Sequence, residues 1–201
     1  MSSLLLQIYL ARHGETAWSL SGQHTGRTDI PLTSQGEKNA QQLGKRLEKK
    51  SFAHVFSSPL QRAMKTAAIA GFENAVKPEP LLLEWNYGEY EGWTTKEIHQ
   101  KEPDWLIFKN GCPGGESPDQ VATRCDQLIQ KIQLLQQETP GETLLFAHAH
   151  ILRMVATRWL GQPPKSGALY VLSTASLSIL GYEHNLSEHV IRLWNDTSHL
   201  G

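Results

Sequence analysis

An imidazole nitrogen can attack phosphorus, and a guanidinium beside it offers a planar fork of N–H donors to the oxygens of the group under attack. Arg12 and His13 stand side by side in Arg12-His13-Gly14-Glu15-Thr16. Gly14 lets the backbone turn closely beneath an anion. The same five residues also read as an exposed loop that happens to hold an Arg and a His. His148-Ala149-His150 has two readings as well. His-x-His spacing recurs in zinc sites, whereas a histidine just past a strand end can serve an anion pocket without a metal. Glu84 follows the apolar run Leu81-Leu82-Leu83 and precedes Trp85. Such surroundings raise a carboxyl pKa and keep it protonated near neutrality, so that it can give up a proton. A surface glutamate in a loop is the plainer alternative.

These residues need elements to bring them together. Gln7 to Ala11 is a short apolar run that ends abruptly in a loop rich in Gly, Thr and Ser, as a parallel strand delivers a loop. Ser34 to Glu37 gives a capping box, with Ala40, Leu43 and Leu47 on one helical face behind it. Ala53 to Ser57 reads as a second strand, with Ser58 as N-cap and Pro59 opening a helix that carries Ala63, Met64 and Ala67. A capping box at Thr94 to Glu97 starts a short helix, and Gly111 to Pro118 is rich in turn residues. Val121, Cys125, Leu128, Ile129, Ile132 and Leu135 fall at helical spacing between Pro118 and Gln137. Thr143 to Ala147 is a third strand, and the next helix runs from about Ile151 to Leu160. Ala175 to Leu180 and His189 to Leu193 read as closing strands. Strands alternating with helices predict an α/β fold with a mainly parallel sheet. In such folds ligands bind outside the carboxyl ends of the strands. Arg12-His13 and His148 both lie just past a predicted strand end, so they can meet there despite their separation in sequence.

The chain has 201 residues, enough for one domain with a substantial core and short for two. No repeat, low-complexity tract or linker marks a second, so a single domain over 1–201 is expected. Lys plus Arg total 19 against 20 for Asp plus Glu, a formal charge of −1. No global field therefore favours nucleic acid or an anionic membrane, and any attraction for anions is local. Two cysteines, Cys112 and Cys125, make neither a disulfide framework nor a zinc cluster, which suits a reducing compartment and a cytoplasmic location. The run from Leu4 to Leu10 lacks the basic flank and cleavage site of a secretion signal and is expected to be a buried strand. No apolar run approaches the roughly 20 residues that span a bilayer.

Four separated motifs together resemble the phosphoglycerate mutase-like branch of the histidine phosphatase superfamily: Arg12 to Thr16, Ser58-Pro59-Leu60-Gln61-Arg62-Ala63, Glu84 ahead of Tyr87-Gly88, and Phe146-Ala147-His148. Their order and spacing match over most of the chain. The resemblance implies a three-layer α/β/α sandwich with a mainly parallel central sheet, and a lid-like insertion around 85–117. It implies that His13 is the nucleophile, that Arg12, Arg62 and His148 clamp the phosphoryl group, and that Glu84 protonates the leaving alkoxide and then takes a proton from water. Fixed cationic donors around a transferring phosphoryl group can replace a metal, so neither a metal nor another cofactor is expected. Trp18-Ser19 and the stretch from Thr25 to Asp29 match the loop after the nucleophile, making Ser19, Thr25 and Gly26 candidate substrate contacts. Ala149, Trp85, Tyr87 and His150 join them, His150 either lining the pocket or capping the following helix. The family commonly has Asn at Ser19 and Gly at Ala149; a hydroxyl and a backbone N–H remain at those positions.

A mutase holds a bisphosphorylated intermediate, which demands additional cations. Its pattern after the acidic residue is Arg-His-Tyr-Gly, whereas here Trp85-Asn86-Tyr87-Gly88 keeps only the last two. Between Thr94 and Pro118 the cations are Lys96, Lys101 and Lys109. The segments Trp85 to Gly92, Glu102 to Trp105 and Gly111 to Ser117 are similar to a subgroup with bacterial acid phosphatases and sugar bisphosphatases. The resemblance thus implies a metal-independent phosphomonoesterase acting on a small phosphorylated metabolite. A cofactor-dependent phosphoglycerate mutase and a catalytically inactive protein that binds phosphate ligands are the alternatives. Trp85, Trp93, Trp105 and Phe108 either wall the pocket or belong to the core.

Overall fold

A computed structural model describes residues 5–201; the start of the apolar run at Leu4, and of the expected domain, lies outside them. Six strands form one sheet in the order β3-β2-β4-β1-β5-β6: β1 (Ile8–Arg12), β2 (His54–Ser57), β3 (Lys77–Pro78), β4 (Thr143–Ala147), β5 (Leu177–Tyr182) and β6 (His189–Asp196). The helices are α1 (Ala17–Ser21), α2 (Ser34–Leu47), α3 (Gln61–Ala67), α4 (Thr95–Lys101), α5 (Ile107–Asn110), α6 (Pro118–Glu138) and α7 (Ala149–Trp159). Strands β1 to β4 pair in parallel. The hairpin of β5 and β6 closes the sheet in antiparallel fashion against β1.

Alternation along β1 explains the three layers. Ile8 and Leu10 face a core shared with Val121, Cys125, Leu128 and Ile132 of α6 and with Ile151, Leu152 and Val155 of α7. Tyr9 and Ala11 face the opposite core, with Leu43 and Leu47 of α2 and Ala67 of α3. The period of two along a strand sends successive side chains to opposite faces. A helix on each side buries the two apolar rows. The segment 85–117 adds Trp85, Tyr90, Ile98, Trp105 and Phe108 to the first of these cores. It thereby forms a packed wall beside α7.

Two helix starts differ from the sequence reading. Thr33, not Ser34, caps α2, its hydroxyl accepting from the amide of Gly36 at 3.0 Å. Helix α3 begins at Gln61, with an extended Leu60 before it and no side-chain cap. Ser58 is thus no N-cap: its hydroxyl is drawn instead to His148. Thr94 caps α4 in a capping box as expected, and Ser117 and Gln120 form another at the start of α6.

Candidate active site

Register brings the chemistry together. Arg12 stands opposite Ala147 in the β1–β4 pair, and Ser57 opposite Phe146 in the β2–β4 pair. Three neighbouring parallel strands therefore end at one edge, delivering His13, Ser58 and His148 side by side. The His13 and His148 rings lie 5.1 Å apart, edge to face. Gly14 follows because the loop after β1 passes against the start of α2: a Cβ there would sit 2.4 Å from the carbonyl oxygen of Gly36. Its N–H donates to Thr66 Oγ1 in α3 at 3.0 Å.

His13 is 5% exposed, and its Nδ1 lies 2.7 Å from the Gly14 carbonyl oxygen. A carbonyl only accepts, so Nδ1 carries the hydrogen and the lone pair belongs to Nε2. Burial, then Arg12 and Arg62, holds this imidazole well below the usual histidine range. It is a neutral imidazole with a fixed tautomer.

Arg12 donates from Nη1 to the carbonyl of Leu172 at 2.5 Å, and its buried Nε has no protein partner. Burial lowers its pKa to about 10, which leaves it charged at neutrality. Among the described residues no carboxylate lies at ion-pair distance from this half-buried guanidinium, and a buried donor such as its Nε is costly to leave unpaired unless an anion comes. Arg62, fully buried, is placed differently from the expected clamp. Its Nε donates to His148 Nδ1, Nη1 to the Thr28 carbonyl, and Nη2 to the Thr25 and Gly26 carbonyls, each at 3.0 Å. One Nη1 hydrogen is left, so in this state Arg62 orients His148 and the 25–28 loop. Because Arg62 only donates, His148 carries its hydrogen on Nε2, which lies 2.8 Å from Ser58 Oγ. Both His148 nitrogens thus have protein partners. Among the described residues no group of three or more His, Cys, Asp or Glu is arranged to hold a metal ion.

Glu84 sits at the start of α7. Its Oε1 accepts from the amides of Trp85 and Ile151, both at 2.9 Å, and its Oε2 from that of His150 at 3.0 Å. Burial pushes its pKa up, against the pull of these three N–H groups and of Arg62. Oε2 meets a single amide and keeps a lone-pair position for a proton. The N-terminus of α7 thus receives this carboxyl group.

The pocket has a volume of about 410 Å³ and contains Arg12, His13, Ser19, Thr25, Glu84, Tyr87, Ala149 and His150 on its walls. Ser19 is engaged in the cap of α1, its hydroxyl donating to the Thr16 carbonyl at 2.9 Å. The Thr25 hydroxyl donates to the Gln23 carbonyl. Tyr87 and His150 share a hydrogen bond of 2.5 Å between the phenol and Nδ1. Two expected substrate contacts are corrected. Gly26 spends its N–H on Glu91 Oε1 at 2.8 Å. Trp85 is wholly buried, its indole N–H donating to the Glu116 carbonyl and its ring packed edge-on to Phe108. Trp105 and Phe108 also belong to the core, and the aromatic walls come instead from Trp18 and Tyr170.

Sequence reasoning missed His24 and Arg153 in the pocket, Glu91, whose carboxylate also takes the amide of Thr28, and the role of Ser58. His24 stacks at 4.8 Å on Tyr87, and burial lowers its pKa to about 4. Arg153 did carry a signal, one helical turn beyond Ala149 on the same face.

The geometry has counterparts. A family model described as histidine phosphatase superfamily (branch 1) matches residues 8–197. An acid phosphatase of Mycobacterium tuberculosis is 40% identical over 184 residues, covering 90% of this chain and 89% of the relative. A sedoheptulose 1,7-bisphosphatase of Saccharomyces cerevisiae is 35% identical over 189 residues, covering 80% of this chain and 70% of the relative. The solved structure of an open reading frame product from Mycobacterium tuberculosis superposes with a TM-score of 0.86 at 37% identity, over 94% of this chain and 97% of that one.

Proposed function

The chain belongs to the histidine phosphatase superfamily, and from that premise we propose that it is a metal-independent phosphomonoesterase that hydrolyses small phosphorylated metabolites through a phosphohistidine on His13. One observation carries this reading above the others: the Nδ1 hydrogen of His13 is committed to a carbonyl, so Nε2 offers its lone pair in a pocket that also holds Arg12, whose buried Nε has no partner among the described residues.

The Nε2 lone pair attacks phosphorus; the P–N bond forms as the P–O bond to the leaving group breaks. Arg12 meets the negative charge that spreads over the phosphoryl oxygens, and the His148 Nε2 hydrogen turns to them from Ser58. Arg62 acts by holding His148. Glu84, whose pKa burial raises, gives its proton to the departing alkoxide. As carboxylate it then takes a proton from the water that attacks phosphohistidine, and inorganic phosphate leaves with His13 restored. Two relatives, one named an acid phosphatase and one a sugar bisphosphatase, support phosphate esters as the substrate class. Both cysteines are free thiols, in keeping with the cytoplasmic location we propose.

Hydrolysis of p-nitrophenyl phosphate in EDTA tests the reading. Wild type is expected to turn over and His13→Ala to lose activity by at least about 10³-fold; activity that survives the substitution refutes the mechanism. Interconversion of 3- and 2-phosphoglycerate faster than hydrolysis would make the chain a mutase instead.

A further inference from the structure

The pocket holds a second cation that the chemistry above leaves unused. Arg153 projects from α7 into the same pocket as Arg12 and His13. Its guanidinium lies 4.5 Å over the ring of Phe108, and its Nε donates to the carbonyl of Gly167 at 3.0 Å. Among the described residues neither Nη group has a protein acceptor, and no carboxylate lies at ion-pair distance. Glu84 is the one acid among the described lining residues, and three amides already hold it. A fork stacked on one face, tethered at Nε and open at both Nη groups is a receptor for an oxyanion.

Its anchor and its packing neighbours differ from those of Arg12. The segment from Gly167 to Leu172 anchors both pocket arginines separately: Leu172 takes Arg12, and Gly167 takes Arg153. Arg12 adjoins the strand-end cluster of His13 and His148, while Arg153 belongs to the wall made by Phe108 and Gly167. Around it stand His150 and Tyr87, with His24 close by; both imidazoles are held neutral by burial. The wall around Arg153 thus offers a cation beside neutral hydrogen-bonding groups.

We propose that Arg153 grips a second oxyanion on the substrate, a carboxylate or a further phosphate, so that the site prefers phosphate esters bearing another negative group. This rests on the reading of the pocket as a phosphomonoesterase site. It makes Arg153 a specificity-determining residue.

Calorimetry on His13→Ala, which leaves the esters intact, tests it in two arms. One compares fructose 1,6-bisphosphate with fructose 6-phosphate, and the other 3-phosphoglycerate with glycerol 3-phosphate. Each pair is titrated with Arg153 present and with Arg153→Met, which keeps the length and the contact with Phe108. In at least one arm the preference for the doubly anionic ligand, as a ratio of Kd values, is expected to fall about tenfold or more, and that arm identifies the group as phosphate or carboxylate. Arg153→Lys, with charge but no fork, is expected to recover part of it. Each ratio is taken on one preparation, so partial misfolding cancels. Unchanged ratios in both arms, or no binding of either doubly anionic ligand with Arg153 present, would overturn the proposal. Tight binding of esters that wild type never hydrolyses would instead sink the phosphomonoesterase reading and leave the Arg153 grip standing.

Discussion

A histidine and a carboxyl group whose pKa values move in opposite directions set the pH behaviour of this pocket. His13 is held low, chiefly by burial and then by Arg12, so its imidazole stays neutral well into acid. Glu84 is held high by burial, so its proton is available at low pH and lost as pH rises through its own pKa. Hydrolysis of esters with poor leaving groups is therefore expected to fall on the alkaline side, and Glu84→Gln to remove that limb from the kcat/KM profile. The same variant should slow sugar phosphates far more than p-nitrophenyl phosphate, whose leaving group needs little help. Equal losses on both would remove Glu84 as the acid. The positions at this scale were largely legible: Arg12, His13, Glu84 and His148 were all named from the sequence, and the structure gathers them at one strand edge. His24 and Glu91 were not, because a single polar residue in a loop has no periodicity to betray which way it faces. Arg62 was legible as a residue but not as an orientation; its donors to three loop carbonyls exist only once the chain has folded.

Elements place these groups through a few caps and close approaches. Thr33 caps α2 and also donates from its hydroxyl to Glu15 Oε1 at 2.7 Å, tying the helix to the loop that carries His13. Thr33→Ala is expected to cost about 1–2 kcal/mol in urea unfolding, while exposed Ser34→Ala stays within about 0.5 kcal/mol. The reverse order would return the cap to Ser34. Gly14→Ala would drive a methyl group into the Gly36 carbonyl and is expected to lower both stability, by about 1–3 kcal/mol, and activity; wild-type turnover would show that the close approach is dispensable. Both adjacent polar residues of Thr33-Ser34 can cap, and sequence spacing does not choose between them. Ser58-Pro59 misled for another reason: the pattern suits a helix start, but the hydroxyl has a stronger claim on it from the His148 ring. Five of the six strands were legible to within about three residues because apolar runs ended in clear loops, whereas the two-residue β3 (Lys77–Pro78) is too short to carry a pattern and was not foreseen.

At the scale of the whole molecule, a nearly neutral chain concentrates arginines, one of them fully buried, and neutral imidazoles at one sheet edge. Sheet order and the antiparallel turn of β5 and β6 were not written in any local pattern; they follow from which apolar faces the helices can cover. Burial holds His13, His148 and His150 far below the ordinary histidine value, and His24 at about 4. Their stabilising share is complete above the unfolded value near 6.5 and is lost as pH falls from there toward the folded values, by up to about 1.4 kcal/mol per pH unit for each. Glu84, shifted up, works the other way above about 4.5, but it is one group against four. Stability toward urea is therefore expected to drop steadily from pH 7 to 5, and a flat profile would mean that the imidazoles are not neutral in the fold. All of this serves a single lone pair. Rapid quench with a ³²P-labelled ester reads it directly: an acid-labile, alkali-stable label on His13 in wild type, absent from His13→Ala, is the expected result. Steady hydrolysis with no label ever trapped on His13, or with the label on another residue, would contradict the account.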